Sequence, residues 1–241
     1  MKALDELRGR AEADSAVVGL VLTGSHARGM ATRWSDVDVI VVVRERGGRW
    51  TRTRRSRELD EIVCTVDELA DTTDRWQRYA YRGARVLLDR LDGGVAELVH
   101  RQAVPTVAEA GMLAREALDG YLNLAYRSAK SRRAGDPVAA ELDARESVSW
   151  LLDTVFAVHG RLRPYNRYLR WELATYPLPA PWGAADLPGR ALRDPVGLAP
   201  EVVRLARRHG LGEVVDAWGD DLALLGCGGA HPADDSPPTG R

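Results

Sequence analysis

The sequence predicts an α+β fold, in which a mixed sheet flanked by helices is followed by a helical bundle. In the first half, short apolar runs alternate with turn residues, which is typical of buried strands. In the second half, apolar residues recur at helical spacing over long segments that open with N-capping residues. We therefore expect a sheet-containing domain at residues 1–104, a helical bundle at 105–226 and a disordered tail at 227–241.

Length and composition are those of an ordinary globular protein. The chain has 241 residues, of which 45% are hydrophobic and 29% are charged, so it can bury the core of one large or two small domains. Its formal net charge of −1 argues against a protein whose main activity is coating nucleic acid. Cys64 and Cys227 suggest no disulfide framework, and we see neither a signal peptide nor a membrane-spanning run. We expect a cytoplasmic protein without a membrane partner.

The first half is expected to alternate strands with short helices. Its second strand is a run of valines, and its third strand ends in an acidic turn. In chain order, the expected elements are a helix at 2–14, strands at 17–23 and 37–43, a strand that begins at 59, a helix at 71–80, a strand at 84–88 and a helix at 94–102.

Two capped helices form the centre of the predicted bundle. Residues 106–109 have the pattern of a capping box and open a helix that continues to about residue 133. Asp136 is the expected N-cap of a second helix, which has Pro137 at its first position and continues to about residue 159. Six apolar residues should share one side of that helix: Leu142, Val148, Leu151, Leu152, Val155 and Phe156. We expect further helices at 165–174, 200–208 and 213–225, and a proline-rich wrapping loop at 176–188.

The motif that carries chemistry lies between the first two strands. Asp36 and Asp38 alternate with valines, so the two carboxylates project to the same side of a strand about 7 Å apart. Such a pair repels itself and resists burial unless positive charge compensates it, and divalent cations supply that charge. Gly24 lets the backbone approach a ligand closely, and Ser25 begins a turn whose amide and hydroxyl groups can bind phosphate oxygens.

The order and spacing of these residues resemble the DNA polymerase β-like nucleotidyltransferase superfamily. The resemblance rests on Gly24-Ser25 after a strand, a spacer with Arg28 and Gly29, and Ser35-Asp36-Val37-Asp38 before a valine run. It implies that residues 1–104 are the catalytic domain. It also implies two Mg²⁺ ions held by Asp36 and Asp38, with ATP or another nucleoside triphosphate as donor, AMP as the transferred group and pyrophosphate as product.

A third acid is expected on the third strand. By resemblance, Asp60 best matches the superfamily's position, and Glu61 is the alternative because a shift of one residue would exchange the two faces of the strand. In relatives this carboxylate either joins the metal ligands or acts as general base on the acceptor hydroxyl. The sequence does not choose between these roles.

The resemblance also suggests residues for nucleotide and acceptor binding. In the motif, Gly24, Ser25, Arg28 and Ser35 are expected to contact the nucleotide. In antibiotic nucleotidyltransferases of the same two-part layout, the helical domain adds basic and aromatic residues to the site. The corresponding candidates here are Lys130 and Arg163 for the phosphates, and Glu146 and Trp171 for the acceptor.

The acceptor admits two hypotheses. The first is a hydroxyl group on a small molecule, as in aminoglycoside and lincosamide nucleotidyltransferases, which would imply a role in antibiotic resistance. The second is an antitoxin-like protein that binds or adenylylates a partner protein, although such members are often only as long as the first half of this chain. Template-dependent polymerase activity is disfavoured because the chain lacks separate basic domains for gripping a duplex, and we expect no nucleic-acid partner. The sequence leaves homodimerisation through the bundle open.

The segment at residues 44–58 carries seven arginines between the second and third strands. Such a run is usually a solvated helix or loop. The alternative is a basic flap near the triphosphate or an anionic acceptor. Within it, Trp50 is either a stacking group or an anchor.

Overall fold

The computed structural model describes residues 2–183 and 186–227, so most of the tail predicted at 227–241 lies outside the described residues. The chain divides into two compact units, Met1–Pro105 and Thr106–Arg241, called here the first and second unit. The predicted α+β class is confirmed, because a mixed five-stranded sheet with flanking helices is followed by a helical region. No described helix is both long and apolar enough to cross a membrane.

The first unit contains five strands and five α-helices within the described residues. In chain order these are α1 (Lys2–Glu12), β1 (Val17–Leu22), α2 (Gly24–Ala27), β2 (Val37–Val43), β3 (Arg54–Arg55), β4 (Leu59–Thr65), α3 (Val66–Ala70), α4 (Arg75–Arg78), β5 (Arg85–Asp89) and α5 (Gly94–Ala103). The sheet order is β3-β4-β2-β1-β5, with β2 and β4 parallel and the other pairs antiparallel.

Hydrophobic clusters cover both faces of this sheet. One face of β2 packs with residues of α1 and with Trp50, and the other packs with Leu69 of α3 and with Val95 and Val99 of α5. A strand that is buried on both faces must be apolar throughout, which explains the valine run of β2. Asp38 is the exception in β2, and it lies at the start of that strand.

The second unit is helical. Its α-helices are α6 (Val107–Arg133), α7 (Pro137–Val158), α8 (Leu169–Thr175), α9 (Leu187–Arg193), α10 (Ala199–Arg208) and α11 (Gly212–Asp216). As predicted, Thr106 and Glu109 form a capping box at the start of α6, and the Asp136 side chain accepts a hydrogen bond from Ala139 at the start of α7.

Some predicted elements differ from the observed ones. The helix predicted at 71–80 is reduced to α4 and a 3₁₀ turn at Tyr79–Tyr81, because the side chains of Asp71 and Asp74 cap local backbone N–H groups instead. The element predicted at 213–225 divides at Gly219, whose positive φ of 49° separates α11 from the 3₁₀ helix Gly219–Leu225.

Two further differences concern the bundle. The loop predicted at 176–188 gives way to α9 near its end, where Pro188 occupies the first turn, the position at which a helix tolerates proline. Leu142 was predicted on the apolar side of α7, but it is 60% exposed.

Candidate active site

Three carboxylates meet at one edge of the sheet. Asp36 precedes β2, Asp38 lies within it, and Asp60 lies directly opposite Asp38 on the parallel strand β4. One ligand oxygen from each carboxylate can be chosen such that all three lie within 4.8 Å of one another. Hard cations such as Mg²⁺ prefer a donor set of carboxylate oxygens, so these residues fit a divalent metal site.

The electrostatics of Asp38 are those of a carboxylate that lacks charge compensation. Burial raises the pKa of Asp38 above its ordinary value, and the neighbouring charges of Asp36 and Asp60 raise it further. Arg28 and His26 lower it by smaller amounts. A bound cation would reverse this balance, because positive charge favours ionised carboxylates.

Gly24 is in direct contact with this cluster. It has a φ of +63°, in the left-handed region that favours glycine, and a Cβ atom added to it would overlap the Asp38 carboxylate. The amide of the preceding Thr23 donates a hydrogen bond of 2.9 Å to the carbonyl of Asp38. The glycine turn and the carboxylates therefore form one compact unit in which no side chain fits at position 24.

The motif residues Ser25 and Arg28 are buried beside that turn. The Ser25 carbonyl accepts a hydrogen bond from Met30. The guanidinium of Arg28 donates to the carbonyls of Gly24, Tyr79 and Ala80 at 2.8, 3.0 and 3.1 Å. These contacts give Arg28 a structural role in fastening the glycine turn to the 3₁₀ turn that follows α4. A direct contact of Ser25 or Arg28 with a nucleotide stays a prediction.

Ser35 shapes the loop that leads into Asp36. Its hydroxyl accepts a hydrogen bond from the amide of Thr32 at 3.0 Å, and its own amide donates to the Thr32 carbonyl at 3.0 Å. The loop presents Trp34, which is 73% exposed and has the guanidinium of Arg33 4.6 Å from its ring centroid. We did not single out Trp34 from the sequence, although an isolated tryptophan two residues before a candidate ligand was a visible signal.

The structure distinguishes between the two candidates for the third acid. Asp60 pairs with Asp38 across the parallel strands and joins the cluster. Glu61 points to the other face of the sheet, where it is buried and forms an ion pair of 2.7 Å with Arg10. The geometry therefore brings Asp60, and not Glu61, to the edge at which Asp36 and Asp38 meet.

The arginine-rich connection between β2 and β4 is anchored by its tryptophan. Trp50 is only 1% exposed, its indole N–H donates to Asp14 at 2.8 Å, and Arg10 lies 5.7 Å from its ring centroid. Trp50 is an anchor and offers no surface for stacking on a ligand. Beyond it, Arg55 lies opposite Asp60 on β3, with its Nε atom 3.7 Å from Asp60 Oδ2.

The candidates of the second unit have partners within that unit. Lys130 is exposed and its ammonium lies 5.9 Å from the ring centroid of Tyr126. Arg163 donates hydrogen bonds to Ser149 and Asn166. Burial raises the pKa of Asp153 to about 6, and the nearby Arg163 opposes that shift. Phosphate binding by Lys130 and Arg163 stays a prediction.

The two acceptor-side candidates also lie in the second unit. Glu146 is exposed on α7, and Trp171 makes an edge-on ring contact with Tyr176. Nothing in these contacts distinguishes an acceptor site from an ordinary surface, so both assignments stay predictions.

Comparison with known proteins identifies the class of the first unit. Residues 2–93 match the family model described as a nucleotidyltransferase domain, and this range contains the three carboxylates and the Gly24-Ser25 turn. The expected resemblance is thereby confirmed at the level of this domain, and the chain is a transferase enzyme.

A solved structure of a nucleotidyltransferase-like protein from Exiguobacterium sibiricum 255-15 is similar, at 15% sequence identity and a TM-score of 0.43, with 93% of this chain and 77% of that chain covered. No curated protein matches.

Proposed function

We propose that this enzyme transfers a nucleoside monophosphate, AMP from ATP, to a hydroxyl group of a small-molecule acceptor and releases pyrophosphate. The observation that carries the proposal is the cluster of Asp36, Asp38 and Asp60 in contact with the Gly24 turn. It combines a site for divalent cations with a backbone that a phosphate chain can approach closely.

Each residue has a role in the proposed reaction. Asp36 and Asp38 would hold two Mg²⁺ ions, which neutralise charge on the phosphates and lower the pKa of the acceptor hydroxyl. The turn at Gly24 and Ser25 would bind the β- and γ-phosphates through its backbone and the serine hydroxyl. Asp60 would complete the metal site or receive the proton of the acceptor hydroxyl.

The proposed reaction is a single displacement at the α-phosphorus. The acceptor oxygen forms a bond to the α-phosphorus, the bond from that phosphorus to the bridging oxygen of the β-phosphate breaks, and pyrophosphate leaves with the bond electrons. The proton of the acceptor hydroxyl passes to Asp60 or to solvent. Burial of Asp38 among other acids supports this assignment, since such a site requires the positive charge that the metal-bound triphosphate brings.

Removing either central carboxylate should abolish transfer. We expect Asp36→Ala and Asp38→Ala to reduce the metal-dependent rate at least about 10³-fold, because several kcal/mol of transition-state charge stabilisation depends on the metal. The measurement is pyrophosphate release from each of the four ribonucleoside triphosphates with Mg²⁺, in the presence of hydroxylated small molecules. Asp5→Ala, which removes an exposed carboxylate from α1, is the matched control.

The products decide the acceptor class. Labelled small molecules would support the proposal, whereas label found only in a protein band from cell lysate would favour the adenylylation of a partner protein. Full activity in Asp36→Ala would contradict the metal assignment itself.

A further inference from the structure

An exposed, arginine-rich segment runs along the edge of the sheet, and one of its arginines, Arg55, lies beside the carboxylates. It is called here the arginine segment and comprises residues 49–57, which contain five arginines and no acidic residue. The five are Arg49, Arg52, Arg54, Arg55 and Arg57, and all are exposed. The segment therefore concentrates positive charge within a chain whose formal net charge is −1. Among the described residues, Arg55 is the one of these five with a carboxylate oxygen within 4.0 Å, and the charge of Arg49 helps to lower the pKa of Asp14.

The sheet register places one of these arginines in line with the candidate metal ligands. Asp38 on β2 faces Asp60 on β4, and Asp60 faces Arg55 on β3. Directly opposed residues on neighbouring strands project to the same face, so the three side chains form a row across the sheet. The Arg55 side chain is 75% exposed, so its guanidinium remains accessible beside Asp60.

The sheet order separates the two sides of Asp38, one of which adjoins the Gly24 turn and the other Asp60. The Gly24 turn leaves β1, which adjoins β2 on the side opposite to β4. If the turn binds the triphosphate, as in the proposed function, the donor lies on the β1 side of Asp38. Along the sheet, the side left for the acceptor is then that of Asp60 and β3, where Arg55 lies.

The arginine segment is also held in place. Its buried residue Trp50 is fixed by the hydrogen bond to Asp14 and by packing in the core beside α1. At its other end, β3 pairs with β4, and Ser56 forms hydrogen bonds with Leu59 that close the turn. The strand β3, which carries Arg55, is therefore held beside Asp60.

We propose that the acceptor is an anionic, phosphate-bearing hydroxyl compound, whose phosphate is bound by Arg55 and the neighbouring arginines of the segment. This inference rests on the proposed function and specifies its substrate class. A guanidinium presents paired N–H donors that match phosphate oxygens, and the same charge repels a polycation such as an aminoglycoside. The transfer step itself is unchanged.

The test is a binding experiment on the full chain with the donor site filled by Mg·AMPCPP, a non-hydrolysable ATP analogue. The probes are ribose 5-phosphate, a five-nucleotide single-stranded RNA, unphosphorylated ribose and neomycin. The variant Arg55→Gln/Arg57→Gln is compared with Arg44→Gln/Arg101→Gln, which removes the same charge from two other exposed positions of the first unit. Unfolding midpoints of both double variants confirm that each is folded.

We expect at least one phosphate-bearing probe to bind the wild type, and its affinity to fall about tenfold or more in Arg55→Gln/Arg57→Gln but by no more than about twofold in the control. Its affinity should also fall as salt rises. Binding of ribose 5-phosphate would support a small phosphate-bearing acceptor, whereas binding of the RNA alone would contradict the small-molecule acceptor on which the inference rests. Failure of both phosphate probes to bind, equal binding by both double variants, or preferred binding of neomycin would overturn the inference.

The same experiment separates this inference from the proposed function. If Mg·AMPCPP binds equally to the wild type and to Asp36→Ala, the proposed function fails whatever the probes do. If nucleotide binding depends on Asp36 but probe binding ignores the arginines, only the inference about the acceptor fails.

Discussion

Adjacent residues on one strand can have unrelated tasks, and β4 shows this at Asp60 and Glu61. Side chains alternate between the faces of a strand, so the two carboxylates point in opposite directions. Asp60 joins the carboxylate cluster, whereas Glu61 pairs with Arg10 on the other face of the sheet. Their substitution should therefore separate function from stability.

We expect Asp60→Asn to weaken metal-dependent nucleotide binding with little change in the free energy of unfolding. Glu61→Gln should do the reverse and lower the free energy of unfolding by about 1–2 kcal/mol, since it breaks an ion pair with one buried member and one partly exposed member. Calorimetric titration with Mg·AMPCPP and urea denaturation measure the two effects. A large loss of nucleotide affinity in Glu61→Gln would show that the register has been misassigned.

Two glycines near the site also allow an effect on function to be separated from an effect on stability. Gly24 and Gly29 have similar positive φ angles, 63° and 69°, but only Gly24 lies against another group. A Cβ at Gly24 would overlap Asp38, whereas a Cβ at Gly29 would meet nothing within 4 Å.

Alanine at either glycine should lower the free energy of unfolding by about 1–2 kcal/mol, because an L-residue is strained in the left-handed region. Only Gly24→Ala should also abolish nucleotide binding, because it displaces the Asp38 carboxylate. Binding of Mg·AMPCPP by each folded variant is the measurement. Retained binding in Gly24→Ala would show that the close approach has no functional role.

Among the elements, the pair α6 and α7 depends on a small residue at one contact. Gly120 of α6 packs against the ring of Trp150 of α7, and an added Cβ would lie 2.6 Å from the nearest ring atom. Gly111 lies in the same helix, but a Cβ there would have no neighbour within 4 Å.

Alanine should have opposite effects at these two positions of α6. Gly120→Ala should lower the free energy of unfolding by about 1–3 kcal/mol through overpacking. Gly111→Ala should raise it by up to about 1 kcal/mol, because alanine favours the helical backbone. Thermal unfolding of the two variants tests this, and stabilisation by both substitutions would contradict the tight contact.

The elements also show what sequence can predict. The carboxylate strand, the capped starts of α6 and α7 and the α+β class follow from local patterns, namely alternation and side-chain caps. The end of α7 at Val158 falls within one residue of the predicted position. Helix α9 was missed because proline suggested a loop, although proline is compatible with the first helical turn.

The candidate site could be predicted only in part, because some of its features depend on contacts between residues that are distant in the sequence. Strand alternation predicts that Asp36 and Asp38 project to the same side, and their assignment to a site came from the resemblance to the nucleotidyltransferase superfamily. The choice between Asp60 and Glu61 needed the register between β2 and β4, which is set by tertiary pairing. The burial of Arg28 and Trp50 likewise depends on neighbours that are distant in the sequence.

On the scale of the whole molecule, each unit has hydrophobic clusters of its own. Two clusters belong to the first unit and one larger cluster belongs to the second, and none of the three draws buried residues from both. Separate cores allow separate unfolding transitions.

We expect urea unfolding of the chain to show two transitions, of which Mg·AMPCPP shifts only one to higher urea concentration. A ligand stabilises the part of the protein to which it binds, by an amount that grows with the logarithm of its concentration. A fluorescence titration with and without Mg·AMPCPP makes the measurement, and the Asp36→Ala variant should show no shift. A single transition that moves as a whole would indicate that the two units unfold together.

The parallel pairing of β2 and β4 has a consequence for how such an enzyme can diversify. Because the two strands run in the same direction, the chain that leaves β2 at Val43 must return along the sheet before β4 begins at Leu59. Its last residues, including β3, therefore always arrive beside Asp60. Substitutions in this returning chain can change the charge beside Asp60 while Asp36 and Asp38 stay unaltered, so the surroundings of the carboxylates can evolve independently of the carboxylates themselves.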